Sequence, residues 1–222
     1  SKKFFKRGNF SCDNLKISII SSSVTILPGL TPELINMSHA RLKSLGINII
    51  TNTKLTKCED GFAHLSNGTK INYSFLIFTG GIEASKITDE LDVSKNQRGQ
   101  IIVNEYLQTD NYENIFAVGD MAEIKNSKGE IMPPNVTIAR ISGTNAGKNV
   151  LNLIAGRSLE KCDPKLDGIL IALGGQYAAG DIYGLLTVKG RLAYEIKKYV
   201  FSSYRKPLLK LIKIGYAKLK RL

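Results

Sequence analysis

The sequence lacks most of the features that define a metalloprotein or a disulfide-stabilised secreted protein. It has no tryptophan, two histidines and three cysteines in 222 residues. The cysteines, Cys12, Cys58 and Cys162, are far apart, and no Cys-x-x-Cys or zinc-ligand spacing occurs, so we expect three reduced thiols and no metal site. The histidines, His39 and His64, have no partner nucleophile, and we expect them to be structural or surface groups.

Long apolar runs are missing as well. No stretch of about 18 apolar residues occurs, which excludes a membrane-spanning helix from this sequence. No charged segment followed by an apolar one opens the chain, so we expect no secretory signal. The composition, 43% hydrophobic and 23% charged, is that of a globular protein rather than a disordered one.

The glycine-rich phosphate loops of nucleotide-binding proteins are also absent. No Gly-x-Gly-x-x-Gly occurs, and the segment Gly175–Gly180, which has P-loop spacing, is followed by Asp181 where lysine is required. The opening Ser-Lys-Lys has no initiator methionine. We therefore expect this chain to be a piece of a longer protein, or to work with a separate chain that supplies the missing loops.

Basic residues are abundant, and they are concentrated at one end of the chain. Lys and Arg total 31 against 19 Asp and Glu, a net charge of +12. Residues 186–222 contain eleven basic residues and one acid, Glu195, whereas 17–185 is nearly neutral. This asymmetry indicates an anionic partner, either a membrane or a nucleic acid. Because no zinc, helix-turn-helix or RNP-like motif occurs, we expect a membrane and no nucleic acid; the alternative is a solvated lysine-rich surface.

The end of this cationic tail has the pattern of an amphipathic helix. We predict two helical segments, 189–204 and 207–222, with Pro207 in the first turn of the second. At helical spacing, the apolar residues of the second segment fall on one side and its basic residues on the other. Such a helix lies in the headgroup plane of an anionic bilayer, or its apolar side packs on the protein's own core or on a second subunit. The apolar side comprises Leu208, Leu211, Ile212, Tyr216, Leu219 and Leu222.

The first part of the chain has the pattern of a parallel α/β unit interrupted by a meander. A helix that Thr31 caps and Gly46 ends is flanked by two apolar strands. Asp60-Gly61 and Asn67-Gly68 lie between short apolar runs and predict two hairpin turns. A further strand runs into the glycine turn Thr79-Gly80-Gly81. The predicted strands are 16–20, 47–50 and 76–78.

The second part continues this alternation of strands and helices. A short strand is predicted over 101–103, a longer one over 114–120, and a helix over 137–154 that Gly156 ends. Glycine-rich short strands are predicted within 169–188. We find no internal repeat in the sequence.

The strand over 114–120 ends in Gly119-Asp120, which is the chain's best candidate for a binding site. A carboxylate there can accept hydrogen bonds from ligand hydroxyls, and the backbone N–H groups of Met121 and Ala122 can hold a phosphate. Ligands of open α/β sheets bind at the carboxyl ends of strands, which is where this pair falls. Gly-Asp alone is a weak signal, but it is more specific within Asn-x-Phe-Ala-x-Gly-Asp.

The chain resembles the C-terminal half of the two-dinucleotide-domain flavoproteins, the pyridine nucleotide:disulfide oxidoreductase superfamily, and within it the type II NADH:quinone oxidoreductases. The second FAD motif of that family is similar to NIFAVGDMAEI. The back half of its NAD(P)H-binding domain is similar to ISIISSSVTILPGLTPELINMSHARLKSLGINII. Its membrane-attachment region is similar to LGGQYAAG and to the cationic tail.

This resemblance implies an α/β fold of incomplete Rossmann-like, three-layer ββα domains. Residues 1–90 would be the C-terminal part of the NAD(P)H-binding domain, and 91–156 that of the FAD-binding domain. Residues 157–222 would be an α/β region with amphipathic helices, of which 189–222 contacts the membrane. The implied location is peripheral, on the cytoplasmic face of the membrane, and a homodimer is left open.

The implied activity is transfer of electrons from NAD(P)H through FAD to a quinone-like acceptor. No side chain acts as catalytic acid or base, because the flavin carries the chemistry. Asp120 would hold the ribityl hydroxyls, with Gly119, Met121 and Ala122 beside the flavin. The residues implied on the nicotinamide side are Ser21, Ser22, Thr79, Gly80 and Gly81.

Three departures from the family pattern qualify this interpretation. Ser21 stands where an acid is common, so both NADH and NADPH remain candidates. Thr137 and Ile141 stand where glutamines near the quinone are usual, which leaves the acceptor open. The tail lacks the family's tryptophans. The alternatives are a binding module that holds no flavin by itself, and a relative of the sulfide:quinone oxidoreductases with Cys162 as a redox thiol.

Overall fold

The computed structural model describes the backbone of residues 15–219 and the side chains of 15–212, apart from those of 208 and 211. The chain forms two compact units. The first unit comprises the residues up to Leu76 together with Asp167–Leu222, and the second unit is Ile77–Leu166. The division into compact units does not show which cofactor each segment binds. The functional boundaries at residues 90 and 156 therefore stay a prediction.

The first unit begins with the predicted parallel α/β element. Strand β1 pairs in parallel with β2, Ile19 opposite Ile49. Between them, helix α1 begins where the Thr31 hydroxyl accepts the Leu34 N–H at 3.4 Å, and it ends before Gly46, whose φ is +74°. Cap and stop are those predicted. The bounds are Ser18–Ile20 for β1, Pro32–Ser44 for α1 and Asn48–Ile50 for β2.

The predicted meander follows as three antiparallel strands, and both hairpin turns are confirmed. Asp60 and Gly61 have φ of 48° and 76°, as a tight two-residue hairpin turn requires. Gly68, in the second turn, has φ of +83°. The strands are β3 (Leu55–Glu59), β4 (Phe62–Leu65) and β5 (Lys70–Asn72).

The strand predicted over 76–78 is wrong. This segment has no ladder partner in the structure. Ile77 and Phe78 are each 74% exposed. An apolar run forms a strand only when another strand supplies the hydrogen bonds, and none of the described strands pairs with this segment.

The first unit also contains the C-terminal sheet and the longest helix. Leu34 of α1 packs with Leu173 and Ala179, and Ala193 of the C-terminal helix packs with Ala178 and Val188. The three strands are antiparallel in the order β10-β9-β8. Their bounds are Gly168–Ala172 for β8, Ala178–Ile182 for β9 and Leu186–Lys189 for β10.

The two helical segments predicted in the tail are one helix, α3 (Gly190–Leu219), with Pro207 inside it. The prediction of a break at this proline is therefore wrong. Proline has no N–H to donate to the carbonyl of Ser203 one turn earlier, a loss that a helix tolerates as a local distortion. No helix in the described part of the chain is both long and apolar enough to cross a membrane.

The second unit packs helix α2 against a small parallel ladder. Strand β6 pairs with β7, Ile101 opposite Ala122, and nine buried residues including Leu107 and Ile138 form one apolar cluster. Helix α2 begins where the Asn135 side chain accepts the Ile138 N–H at 3.0 Å. The bounds are Ile101–Ile102 for β6, Ala122–Glu123 for β7 and Val136–Ile154 for α2.

The strand predicted over 114–120 is shorter than expected. Only Phe116 forms a ladder bridge, to Gln108. Gly119–Met121 is a turn of 3-10 helix rather than the end of a strand. The backbone N–H of Ala117 still bonds to the carbonyl of Leu107 at 3.1 Å, so the segment is held along its length without a regular ladder.

The second unit also contains an internal repeat that the sequence analysis did not find. Three five-residue loops, 96–100, 104–108 and 126–130, each begin with Asn and end with Gln or Glu. In each loop the Asn carboxamide oxygen accepts the N–H groups of the third and fifth residues, at distances of 2.9 to 3.1 Å. Its amide nitrogen donates to the side chain of the fifth residue.

The fourth residue of each loop has positive φ. Gly99 and Gly129 have φ of 72° and 79°, and Leu107 has φ of 69°. Glycine adopts this conformation without strain, whereas leucine does so at a cost of about 1 kcal/mol. Leu107 is 1% exposed and lies in the apolar cluster, so burial of its side chain offsets that strain. Because leucine replaces glycine in this loop, the three loops do not share one sequence pattern.

Candidate flavin site

The Gly119-Asp120 turn is held tightly against helix α2. Gly119 has φ of +68°, and a Cβ at this position would lie 3.5 Å from the Ala139 Cβ. The Gly119 N–H donates to the Ser142 hydroxyl at 3.1 Å, and that hydroxyl donates to the Ile138 carbonyl at 2.7 Å. Ser142 is fully buried. The turn therefore needs glycine for its conformation and is bonded to the helix on its inner side.

Asp120 combines a fixed backbone with an exposed side chain. Its carbonyl accepts a hydrogen bond from the Gln100 amide nitrogen at 3.0 Å, while the residue is exposed to solvent. An exposed carboxylate is an acceptor only, which suits a ligand that presents hydroxyl groups. An acceptor of this kind is compatible with the hydroxyl groups of a ribityl chain, and the role of Asp120 stays a prediction.

The two residues after Asp120 turn back into the protein. Ala122 is 4% exposed, begins β7 and donates its N–H to the Gly119 carbonyl. That N–H is therefore not free to hold a phosphate, which corrects one part of the expected backbone site. Met121 is half-buried. Gly119, Asp120 and Met121 form the accessible part of the predicted flavin site.

Ser21 and Ser22, predicted on the nicotinamide side, lie in the first unit at the carboxyl end of β1. The Ser21 N–H continues the ladder to the Ile50 carbonyl at 2.8 Å. Its hydroxyl donates to the Thr25 carbonyl at 2.9 Å and accepts the Ser23 N–H at 3.2 Å. Ser22 is exposed. The Ser21 hydroxyl thus closes the loop that follows β1, and no carboxylate occupies this position.

Thr79, Gly80 and Gly81 lie in the second unit and are all exposed. Gly81 has φ of +113°, which favours glycine. The main chain from this segment reaches the region of Asp120 through Ala84, whose N–H bonds to the Arg98 carbonyl at 3.0 Å, two residues before Gln100. The contacts of the glycine turn with a nucleotide stay a prediction.

The family model of the pyridine nucleotide-disulphide oxidoreductases matches residues 5–143, which is more than half of the chain. The chain belongs to this family. The matched region includes β1, α1, both hairpins and the Gly119-Asp120 turn. The family identified from NIFAVGDMAEI is therefore confirmed.

Two curated relatives carry the same activity in their names. The type II NADH:quinone oxidoreductase of Haemophilus influenzae is 27% identical over 214 residues, which cover 94% of this chain and 48% of the relative. That of Staphylococcus aureus is 27% identical over 192 residues, covering 85% of this chain and 47% of the relative. The chain thus spans about half the length of the curated relatives it matches.

Solved structures confirm the predicted fold class, incomplete Rossmann-type α/β domains of FAD- and NAD-binding oxidoreductases. The structure of NDH2 from Plasmodium falciparum in complex with NADH matches with a TM-score of 0.72 at 17% identity, over 84% of this chain and 54% of that one. The sulfide:quinone oxidoreductase of Aquifex aeolicus matches with a TM-score of 0.70 at 19% identity, over 92% and 53%.

Sequence reasoning missed the residues that hold the turn of this family member in place. Gln100 and Ser142 bond to the turn from positions 20 and 23 residues away. Asn96 donates from one amide nitrogen to the Gln100 side chain at 3.0 Å and to the Glu123 carboxylate at 2.9 Å. The available signal was the pattern Asn-x-x-Gly-Gln before a strand, which is typical of a side-chain-stabilised loop.

None of the described cysteines and histidines bonds to the Asp120 turn, and Cys12 lies outside the described residues. Burial raises the pKa of the Cys162 thiol, with a further contribution from the nearby Asp163 carboxylate, and the side chain is 5% exposed. A thiol of this kind is a poor nucleophile at neutral pH. His39 is exposed, and His64 lies 3.4 Å from the Glu59 carboxylate. Among the described residues, no group of three His, Cys, Asp or Glu is placed to hold a metal.

Proposed function

We propose that this chain forms part of an FAD-dependent NAD(P)H dehydrogenase that delivers electrons to a quinone-like acceptor. The observation that carries the proposal is the exposed Asp120 carboxylate on a turn whose backbone is fixed by Gln100 and Ser142. Family membership and the names of the two curated relatives support it. Members of the pyridine nucleotide-disulphide oxidoreductase family, to which the chain belongs, are oxidoreductases that use a pyridine nucleotide.

In this proposal the chain binds and orients, and the flavin supplies hydride acceptance and electron transfer when bound. Asp120 accepts hydrogen bonds from the ribityl hydroxyls, and Gly119 allows the turn to lie close to α2. Met121 lies beside the flavin. Ser21 and Ser22 are proposed contacts of the nicotinamide dinucleotide. Thr79, Gly80 and Gly81 are proposed to contact the same nucleotide.

The nucleotide preference is proposed to be weak. A carboxylate at the position of Ser21 would bond the ribose hydroxyls of NADH and repel the 2′-phosphate of NADPH. The Ser21 hydroxyl is neutral, so it does not repel a 2′-phosphate. It is already bonded to Thr25 and Ser23, so it does not bind the ribose hydroxyls as a carboxylate would. We therefore propose that both nucleotides are accepted.

The proposed location is the cytoplasmic face of a membrane, with 189–222 as the contact. Helix α3 exposes large apolar side chains among its lysines; Leu192 is 66% exposed, Tyr199 74% and Phe201 68%. Each basic residue near an anionic surface contributes about 1 kcal/mol at physiological salt. We expect the chain to sediment with vesicles that contain anionic lipid, less so at high salt, and not after deletion of 206–222. Equal binding to neutral vesicles would contradict the electrostatic part.

The deciding experiment concerns the flavin site. We expect FAD added to the purified chain to bind with quenching of flavin fluorescence, and Asp120→Ala to weaken that affinity about ten- to a hundredfold, the value of one hydrogen bond to a carboxylate. Glu90→Ala removes an exposed carboxylate elsewhere in the second unit and serves as the control. Unchanged affinity in Asp120→Ala would show that the flavin site lies elsewhere.

A second candidate is a binding module that holds no flavin by itself. It is favoured by the absence of a Gly-x-Gly-x-x-Gly loop and by the coverage of about half of each curated relative. A chain that binds no FAD, and binds it only after the N-terminal half of a relative is added, would support this candidate. The relation to sulfide:quinone oxidoreductases gains no support from Cys162, which is buried.

A further inference from the structure

The Gln100 side chain joins two features that are far apart in sequence. Its amide nitrogen donates to the Asp120 carbonyl at 3.0 Å, and its amide oxygen accepts from the Asn96 amide nitrogen at 3.0 Å. Gln100 is 8% exposed. A buried amide with both ends bonded has one allowed orientation, because a flipped amide would place nitrogen against nitrogen and oxygen against oxygen.

Asn96 holds this amide from a rigid loop. Its side-chain oxygen accepts the N–H groups of Arg98 and Gln100 at 2.9 and 3.1 Å. Its amide nitrogen also donates to the Glu123 carboxylate at 2.9 Å, two residues beyond the turn. The Gln100 amide is therefore fixed at both ends, on one side by its own loop and on the other by the turn.

The bond to the Asp120 carbonyl restricts the peptide plane between Asp120 and Met121. A peptide plane is rigid, so a fixed carbonyl also limits the backbone torsion that sets the direction of the Asp120 side chain. Ser142 holds Gly119, the residue on the other side of Asp120. Asp120 thus sits between two backbone anchors, and its Cα–Cβ bond is directed before any ligand arrives, which lowers the entropic cost of binding.

We propose that Gln100, oriented by Asn96, is a positioning residue that presets the Asp120 turn for the flavin. This inference rests on the proposed function only for the identity of the ligand. The preset geometry of the turn is a property of the chain without ligand. Gln100 touches the backbone of the turn and acts on the ligand through Asp120.

The chain provides a matched control at Gln108. It occupies the same fifth position in the loop 104–108, is also 8% exposed, and accepts from the Asn104 amide nitrogen at 3.2 Å. Its amide nitrogen donates to the Glu113 carbonyl at 2.6 Å rather than to the Gly119-Asp120 turn. Gln→Glu at either position keeps the acceptor for the loop Asn, removes the donor to a carbonyl and adds one negative charge.

The test compares Gln100→Glu with Gln108→Glu, and the neutral pair Gln100→Met with Gln108→Met. In the ligand-free chain we expect faster amide hydrogen exchange at 119–122 in both Gln100 variants than in the Gln108 variants. We expect FAD affinity to fall about tenfold, the value of one hydrogen bond, only in the Gln100 variants. Thermal midpoints should fall by similar amounts at the two positions.

Equal exchange at 119–122 in the two pairs would overturn the inference, since Gln100 would then be a stabilising residue like Gln108. So would unchanged FAD affinity in Gln100→Met beside a loss in Asp120→Ala. If wild type and all variants fail to bind FAD, the proposed flavin site fails for this chain, while the exchange comparison still decides whether Gln100 sets the turn.

Discussion

The two units of this chain hold their predicted binding residues in different ways. In the second unit, the turn at Asp120 is fixed by side chains 20 and 23 residues away, Gln100 and Ser142. In the first unit, the Ser21 hydroxyl bonds to its neighbours Ser23 and Thr25. The Ser21 backbone bonds to Ile50 and Thr53 beside the parallel ladder. Side chains of distant residues therefore anchor the Asp120 turn, whereas main-chain bonds anchor the loop at Ser21, so a single side-chain substitution can release the first more easily than the second.

The apolar cores of the two units differ in size. Nine buried residues of the second unit form one cluster, whereas the corresponding clusters in the described part of the first unit contain three residues each. The parallel ladder of each unit has two strands, so the size of the apolar cluster is what distinguishes the two cores. We infer that the larger apolar cluster holds the second unit, with its Asp120 turn, together more firmly than the smaller clusters hold the first unit.

The largest effect that can break this comparison is the removal of one core leucine from each unit. Leu107 and Leu34 are each 1% exposed. We expect Leu107→Ala to cost about 3–4 kcal/mol and Leu34→Ala about 2–3 kcal/mol, because a cavity in the smaller cluster collapses more easily. Urea unfolding followed by hydrogen exchange of each unit measures both. A larger loss for Leu34→Ala would reverse the comparison.

The control for this pair is Leu185, which is 89% exposed. Leu185→Ala removes the same atoms without opening a cavity, so its effect should stay within about 0.5 kcal/mol. A loss as large as that of the two core variants would mean that exposure does not decide the outcome at these sites.

A smaller effect tests the repeated loops, which we consider the main polar support of the second unit. We expect Asn96→Ala, Asn104→Ala and Asn126→Ala to cost about 2, 1.5 and 1 kcal/mol, since each loses two bonds to backbone N–H groups. Asn96 ranks first because it also bonds Gln100 and Glu123. Asn126 ranks last because its partner Glu130 is exposed. Thermal unfolding gives the order.

The first unit supplies the comparison for this series. The Asn67 side chain accepts one backbone N–H, that of Thr69, at 3.0 Å in the second hairpin turn. Asn67→Ala should cost less than about 1 kcal/mol. If it costs as much as Asn96→Ala, the repeated loops contribute no more than an ordinary turn.

Sequence reasoning succeeded where one local signal sufficed. Thr31 and Gly46 bound α1 as predicted, and Asp60-Gly61 turns a hairpin, because caps and tight turns depend on a few neighbouring residues. It failed over 76–78, where an apolar run needs a partner strand to become one. The Gly119-Asp120 turn was found because its motif is contiguous. The pattern Asn-x-x-Gly-Gln indicates a loop at Gln100, but it does not indicate the bonding partner of Gln100, which lies 20 residues away.

The three similar loops also could not be predicted from the sequence. Two of the loops have glycine at the position of positive φ, and the third has Leu107. Leucine is expected in a strand or a helix, so the sequence does not predict positive φ at Leu107. This conformation is tolerated because the side chain is buried. Local strain that tertiary packing offsets is not readable from composition or spacing.

The smallest expected effect concerns acid, and it also separates the two units. Asp110 and Asp163 lie in the second unit. The Ser94 hydroxyl and N–H donate to Asp110 and lower its pKa below 3.8, and the Ser127 N–H does the same for Asp163. A carboxyl group whose pKa is lower in the folded protein than in the unfolded chain stabilises the fold. This stabilisation is complete when the pH is above the unfolded pKa, and it is lost as the pH falls through the folded pKa.

The second unit should therefore lose stability below about pH 3.8, by a small amount because both carboxylates are exposed and screened. Asp110→Asn and Asp163→Asn should each reduce the drop in the unfolding midpoint between about pH 5 and pH 3, because an amide has no proton to take up over that range. Asp167→Asn, in the first unit, removes one negative charge without removing either bonded carboxylate. If it reduces the drop as much as the other two variants do, the acid response follows net charge, and the hydrogen bonds from Ser94 and Ser127 do not set it.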